Sequence, residues 1–361
     1  MTAVKAEKEQ AGGAPGSIRP AGRRVELFND QIFCELRAYA QVPDDFVNEG
    51  WDLSQLQNGG GKGGTLMARI GSSFIIKELG RGDHQALLAV AGSYGQHVRT
   101  GETLLCPIYI HFRDIATGRY FFAMRNGVGR GPFAALWDLK GCADDKLLEE
   151  SGTSIPAVHK RIWNVGMWAT RSSWSEARRR YYNGKLAARS VDIVMSEEQR
   201  AKLLGALRRD TEWLASHSLM DYSLLVASKE EPSGISATGG SGPSALGQRP
   251  IVRKGDNGAD ISTYVVIIDY LQRWTAGKRV AMYIKCMESN KATVPPKVYA
   301  DRFHSHFSQR FKAEDTVRAD PRPAKSLPAP VAPPAGDTGD DEMGLPEDRL
   351  YSRAIPEDHA D

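Results

Sequence analysis

Between residues 25 and 39, apolar side chains recur at Leu27, Phe28, Ile32, Phe33 and Leu36, the spacing of one helix face. Val42-Pro43-Asp44-Asp45 then turns the chain into a second short helical piece. From Leu66 to Ile70 the pattern becomes that of a strand, Gly71 turns it, and Ser73-Phe74-Ile75-Ile76-Lys77 continues as another. Residues 84–99 return to the helical period, with Leu87, Leu88, Val90, Ala91 and Tyr94 on the inner face. Strands follow at 104–112 and 120–124 around a Thr117-Gly118 turn, and again at 134–141.

The clearest element is a helix from Ser196 to about His217. Ser196-Glu197-Glu198-Gln199 is a capping box, Ser as N-cap and Gln three residues on, and Leu203, Leu204, Leu207, Thr211 and Leu214 form one stripe. The helix turns through Ser218 into Met220-Asp221 and an apolar strand. Residues 229–261 are rich in Gly, Ser and Pro and read as a flexible insertion, after which Thr263–Tyr270 resumes as a β-branched strand. Two strands, each with an Asp at one end, fit a hairpin-like pair that carries both carboxylates. Residues 278–288 read as helix or loop, and a last helix from Val298 buries Tyr299, Phe303, Phe307 and Phe311. Residues 1–24 and 318–361 lack periodicity and read as disordered, the latter Pro- and Ala-rich and acidic. The fold class is α+β, with antiparallel strands and one packed helix first, then helix plus strands.

Composition narrows the function classes. Of 361 residues 41% are hydrophobic, enough for a sizeable core. The four cysteines are scattered without a Cys-x-x-Cys pair, which argues against a disulfide scaffold or zinc ribbon and for a reducing compartment. There is no apolar signal core, and no run of about 18 apolar residues that could span a bilayer. Net charge is +3, but residues 321–361 carry four Lys/Arg against nine Asp/Glu; that −5 leaves +8 on the rest. A basic body with an acidic tail suits an anionic partner, such as nucleic acid, phospholipid or a phosphorylated substrate.

Chemistry gathers at five places. Gly59-Gly60-Gly61-Lys62-Gly63-Gly64 interrupts the apolar pattern ahead of a strand pair that ends in Lys77. Glycines let backbone N–H groups approach phosphate oxygens and a strand-borne Lys adds a point charge, although most Gly-rich stretches are simply turns. Asp138 and Lys140 fall on one face of a strand, as a surface ion pair or as a phosphate-holding Lys with its carboxylate. Asp221 stands where helix gives way to strand, as a cap or as a catalyst. Asp269 ends the strand Val265-Val266-Ile267-Ile268. Between His159 and Arg189, Arg and Lys interleave with Trp and Tyr, a pattern that suits single-stranded nucleic acid, an anionic membrane surface, or a plain solvated face.

Five segments, Ile75-Ile76-Lys77, Trp137-Asp138-Leu139-Lys140-Gly141, Leu219-Met220-Asp221-Tyr222-Ser223, Ile267-Ile268-Asp269-Tyr270 and Tyr299-Ala300-Asp301-Arg302-Phe303, stand in one order. In that order the chain resembles the phosphatidylinositol phosphate kinases, over roughly residues 25–228 and 262–313. The resemblance implies a two-lobed lipid-kinase fold distantly similar to protein kinases, with an N-lobe of about 25–126 and a C-lobe of about 127–317. It implies ATP and Mg2+. By it, Gly61, Lys62, Gly63 and Gly64 cover the phosphates and Lys77 binds them, while Met124 lies in the connector against adenine. Lys140 with Asp138 sits at the nucleotide, Asp221 orients the inositol hydroxyl and accepts its proton, and Asp269 holds the metal.

Residues 270–298 match the specificity loop, with Lys278, Arg279, Lys285, Lys291 and Lys297 as candidates for lipid phosphates. Among these the implied substrate contacts are Lys285, Lys291 and Lys297. The Tyr-Ala-Asp-Arg-Phe ending is most similar to the group that makes phosphatidylinositol 4,5-bisphosphate from the 4-phosphate. The implied partner is a phosphoinositide at the cytosolic face of an anionic membrane, with nucleic acid disfavoured and homo-oligomerisation left open. One departure stands out. The family places Ser and then basic residues after Asp-Leu-Lys-Gly, whereas this chain has Cys142-Ala143-Asp144-Asp145, which removes positive charge near the expected phosphates. That departure motivates the alternative of a weak or silent member acting as a phosphoinositide-binding scaffold. Glu78 adjoins Lys77 and points away from it, so a partner acid for Lys77 is not evident in the sequence.

Overall fold

The computed structural model describes residues 18–48, 57–58, 66–158, 174–231, 246–255, 258–275 and 293–314. All of them fall in the unit Met1–Pro321; the second unit, Arg322–Asp361, lies outside the described residues. So do 1–17 of the disorder expected at 1–24, all of that expected at 318–361, most of the expected specificity loop, and 159–173 of the basic-aromatic stretch; at 18–24 the chain instead makes a turn at Pro20–Gly22, with Ala21 N–H donating to Val47 O.

The first sheet is assembled from β1 (Val25–Leu27), β2 (Gln57–Asn58), β3 (Leu66–Ile70), β4 (Phe74–Leu79), β5 (Ile108–Asp114) and β6 (Tyr120–Arg125). Its order is β1-β5-β6-β4-β3-β2, with every neighbour antiparallel. Helices α1 (Asp30–Tyr39) and α2 (Arg81–Val98) pack on it. The expected helix at 25–39 is therefore split. Asn29 takes the left-handed conformation (φ 51°), which Asn tolerates better than most residues, and this breaks β1 from α1. The second helical piece is a pair of turns instead, in which Phe46 N–H donates to Pro43 O and Asn48 N–H to Asp45 O.

The second sheet has the order β12-β13-β11-β7-β8-β9, again antiparallel throughout. Its strands are β7 (Ala135–Leu139), β8 (Lys146–Glu150), β9 (Thr153–Ser154), β11 (Ser223–Glu231), β12 (Ile251–Lys254) and β13 (Asp260–Ile268). The β8–β9 hairpin, and the extension of strands into the expected insertion at 229–231 and 251–254, go beyond the sequence reading; 232–245 lies outside the described residues. Helix α3 (Glu176–Ala188) lies against β8, and α4 (Glu197–Ser216) packs along α5 (Pro296–Arg310). A short parallel pair, β10 (Ile193–Met195) with β14 (Phe311–Ala313), ties the chain before α4 to the chain after α5. Antiparallel sheets with five separate helices among the described residues match the α+β expectation.

Local signals account for α4. Ser196 Oγ accepts from Gln199 N–H while Gln199 Oε1 accepts from Ser196 N–H, so the capping box is closed. Leu203, Leu207, Thr211 and Leu214 are buried as expected, and Leu204 is half-buried. One position breaks the apolar stripe: Asp210, fully buried, accepts from Leu104 N–H (2.7 Å), Thr103 Oγ1 (2.7 Å) and His97 Nε2 (2.6 Å). It thereby fixes the segment before β5 to α4. Leu104 O in turn accepts from Ile267 N–H, and Cys106 N–H donates to Ile267 O, so this segment is stitched to the end of β13. Tyr270 donates its hydroxyl to Cys106 O at 2.6 Å. Having one proton each, the phenols are then ordered: Tyr94 donates to Tyr270 and accepts from Ile108 N–H. The two sheets thus share one continuous core, from Phe33 to Phe311.

Candidate active site

Four charged side chains meet where the sheets join. Lys77 comes from β4, Lys140 from the first residue past β7, Asp221 from two residues before β11, and Asp269 from the residue after β13. The β11–β13 ladder pairs Ser223 with Ile268, which brings both aspartates to one end of it, as the hairpin expectation required. Both take the left-handed conformation, φ 64° at Asp221 and 58° at Asp269. An Asp there turns the chain sharply at the strand end, and the strain is offset by the ladder on one side and packed aromatics on the other. Tyr222, between Asp221 and β11, is buried against Tyr299 and Phe303, and its carbonyl accepts from the Tyr299 hydroxyl at 2.5 Å. This packing gives the Tyr299 and Phe303 ends of the Tyr-Ala-Asp-Arg-Phe segment their purpose: they hold the Asp221 turn from below.

The four charges form two ion pairs. Lys77 Nζ donates to Asp269 Oδ1 at 2.5 Å, which is the acid the sequence did not supply for Lys77. Glu78 does point to the other face, accepting from Leu66 N–H and lying 3.7 Å from Arg119. Lys140 Nζ donates to Asp221 Oδ1 at 2.5 Å and to the Asp221 carbonyl at 2.8 Å. The expected pairing of Asp138 with Lys140 is corrected. Regular alternation ends at Leu139, and the carboxylate of Asp138 lies 3.5 Å from Lys146, its cross-strand neighbour. Burial pushes the Lys140 pKa down, but Asp221 above all, then Asp138 and Asp269, reverse this, and the net direction is up. The ammonium therefore stays charged across the physiological range.

The turn after Lys140 is tightly specified. Gly141 has φ 67°, and a Cβ there would lie 3.2 Å from the His306 side chain, so only glycine suits. Cys142 is buried, and burial pushes its thiol up to about 11, so it is a packed, protonated thiol. Asp145 is also buried, and its Oδ1 accepts from the N–H groups of Lys140 (2.6 Å) and Cys142 (3.2 Å). The Asp145 carboxyl is thus turned inward onto main-chain N–H groups of the turn itself.

Other candidates stand apart. Met124 is buried within β6, opposite Ile75 and Ile108, one residue short of the strand's end instead of in a connector. Lys297 is on the exposed first turn of α5 and pairs with Asp301, one helical turn on, and with none of the four central charges among the described residues. Gly61, Lys62, Gly63, Gly64, Lys278, Arg279, Lys285 and Lys291 lie outside the described residues. Two contributors were missed. An acid on an apolar helix stripe was a signal for Asp210; Asp145, in a polar run without a period, gave none. No described helix is long and apolar enough to cross a membrane.

No curated protein matches the chain. A model of the family described as Phosphatidylinositol-4-phosphate 5-Kinase matches residues 49–245 and 236–310, two overlapping segments that take in both ion pairs, the Asp145 turn and the α5 aromatics. With most of its length so matched, the chain belongs to the phosphatidylinositol-4-phosphate 5-kinase family.

Proposed function

We propose that the protein is an ATP- and magnesium-dependent lipid kinase of two lobes, split near residue 126, acting at an anionic membrane surface. Its substrate is a phosphatidylinositol phosphate, phosphatidylinositol 4-phosphate foremost, and its product the 4,5-bisphosphate. The observation that carries this reading is the meeting of Lys77, Lys140, Asp221 and Asp269 from four separate segments at one sheet junction. Two ammonium groups and two carboxylates are what phosphoryl transfer requires, since it depends on positioned charge more than on covalent help.

Asp221 accepts the proton of the attacking inositol hydroxyl at a carboxylate oxygen. Lys140 holds Asp221 in place through one hydrogen bond to its carboxylate and one to its main-chain carbonyl. Lys77 exchanges its contact with Asp269 for a nucleotide phosphate. Asp269 is 47% exposed at its side chain and offers hard oxygen donors, so it fits as the magnesium ligand. Magnesium, when bound, supplies neutralisation of the charge on the transferring phosphate. Met124 borders the base. Gly61, Lys62, Gly63 and Gly64 cover the phosphates, and Lys285, Lys291 and Lys297 serve the lipid headgroup. The inward turn of Asp145 favours an active enzyme over a silent scaffold.

Labelled ATP with a panel of phosphoinositide vesicles tests the reading. A bisphosphate product is expected from the wild type, reduced about 10²–10⁴-fold in Asp221→Asn, which removes the proton acceptor while nearly keeping shape. No lipid product from folded wild-type protein at any magnesium concentration would overturn it.

A further inference from the structure

The turn between β7 and β8, residues 140–145, carries an acid with no role in the chemistry above. Asp145 is 1% exposed and sits directly before Lys146, the first residue of β8. Its Oδ1 takes two main-chain N–H groups, those of Lys140 and Cys142, and its own N–H closes the turn onto Cys142 O at 3.2 Å. A carboxylate placed like this acts on its own loop as a cap acts on a helix end, satisfying donors the sheet leaves behind. The 2.6 Å bond falls on the peptide N–H of Lys140 itself, whose side chain then spans to Asp221. Gly141 between them is fixed by its left-handed φ and by the His306 ring, so the turn has one way to close.

We infer that Asp145 is a positioning residue for Lys140: it fixes the Lys140 main chain so that the ammonium reaches the Asp221 carboxylate. The requirement is for a hydrogen-bond acceptor at this place, not for the charge. Burial supports the point, because it pushes the Asp145 carboxyl up from its ordinary value and the turn's N–H groups offset only part of this. The run Cys142-Ala143-Asp144-Asp145 is then a rebuilt support for the Lys and not a gap in it. Asp144, the other acid of the run, acts on Lys185 of α3.

The inference rests on the kinase reading for its activity arm alone, so the test has two arms. In the first, the full chain is treated with a trace amine-acylating reagent, and labelling of Lys140 is followed by mass spectrometry in wild type, Asp145→Asn and Asp145→Ala. Loss of the Asp221 contact lowers the Lys140 pKa, and each unit of lowering exposes about tenfold more free amine. Asp145→Ala should therefore label Lys140 about tenfold faster, while Asp145→Asn, which keeps the acceptor, should stay within about twofold of wild type. Should Asp145→Ala fail to fold, Asp145→Leu fills the space without an acceptor and is read in the same way.

In the second arm, Asp145→Ala lowers kcat about 10- to 100-fold with KM for ATP changed by less than about threefold, and adds nothing on a Lys140→Ala background, since it acts through Lys140. A folded acceptor-free variant with unchanged Lys140 labelling overturns the inference, as does Asp145→Asn labelling as fast as Asp145→Ala. The expected labelling pattern in a protein that makes no lipid product supports the positioning role while refuting the kinase reading.

Discussion

Replacing Asp210 by Ala strips a buried junction of its acceptor. Leu104 N–H and Thr103 Oγ1 are both fully buried and both donate to this carboxylate. An unsatisfied buried donor costs about 1–3 kcal/mol, so the amide and the hydroxyl together cost about 2–6 kcal/mol. Thr103 keeps its bond from Leu105 N–H and can turn its proton elsewhere, which favours the lower half of that range. His97 adds less, because its side chain is 14% exposed and water can replace the lost partner. The expected loss is therefore about 3–5 kcal/mol, or about 6–20 °C in Tm for a body of this size. Asp210→Asn should lose less, about 2–3 kcal/mol, since one oxygen still accepts while the new NH2 faces a donor. Urea unfolding followed by tryptophan fluorescence measures both, provided m is unchanged. A loss below about 1 kcal/mol for Asp210→Ala at constant m would refute the reasoning, because it would mean that the three donors find other partners.

Gly141→Ala places a Cβ 3.2 Å from the His306 ring on a left-handed backbone; a cost of about 1–2 kcal/mol in thermal melts and a fall in lipid-kinase activity are expected. His111 is fully buried, in hydrogen-bond contact with His84, and burial first and His84 second push its pKa down to about 3. A base depressed in the folded state takes up its proton only in the unfolded chain, so stability is full above the unfolded pKa of about 6.5 and falls as pH drops below it. Between pH 7.5 and 5.5 His111 alone should remove about 1.4 kcal/mol. The same pair of melts on His111→Gln should show a smaller drop, and an equal drop would exclude His111 as the source.

What was legible in the sequence was local. The capping box of α4 and its stripe needed only neighbours within a turn, the strand after Asp221 announced itself by an apolar run, and the strand before Asp269 by a β-branched one. Lys140, Asp221 and Asp269 could be singled out because they sit at strand ends, which punctuation reveals, whereas Lys77 lies within β4. Long-range choices were not legible. The strand character of β1 is decided by its partner β5, some 85 residues on, and the β10–β14 pair joins three-residue segments that carry no pattern of their own. Side-chain partners were legible least of all. Asp138 and Lys140 read as a pair on strand alternation, but the strand ends between them. Lys77 found its acid on the other sheet, at a sequence distance of 192.

The β11–β13 ladder runs nine residues from Ser223 to Glu231 on one strand and from Ile268 to Asp260 on the other. At about 3.4 Å per residue, its far end stands about 27 Å from the end that carries the two acids. For protein engineering the ladder is therefore a handle with an insulated grip. A fluorescent or affinity module joined at Glu231 is attached at the far end of a stiff lever, and from that side its load reaches the Asp221 and Asp269 turns along nine consecutive strand pairings.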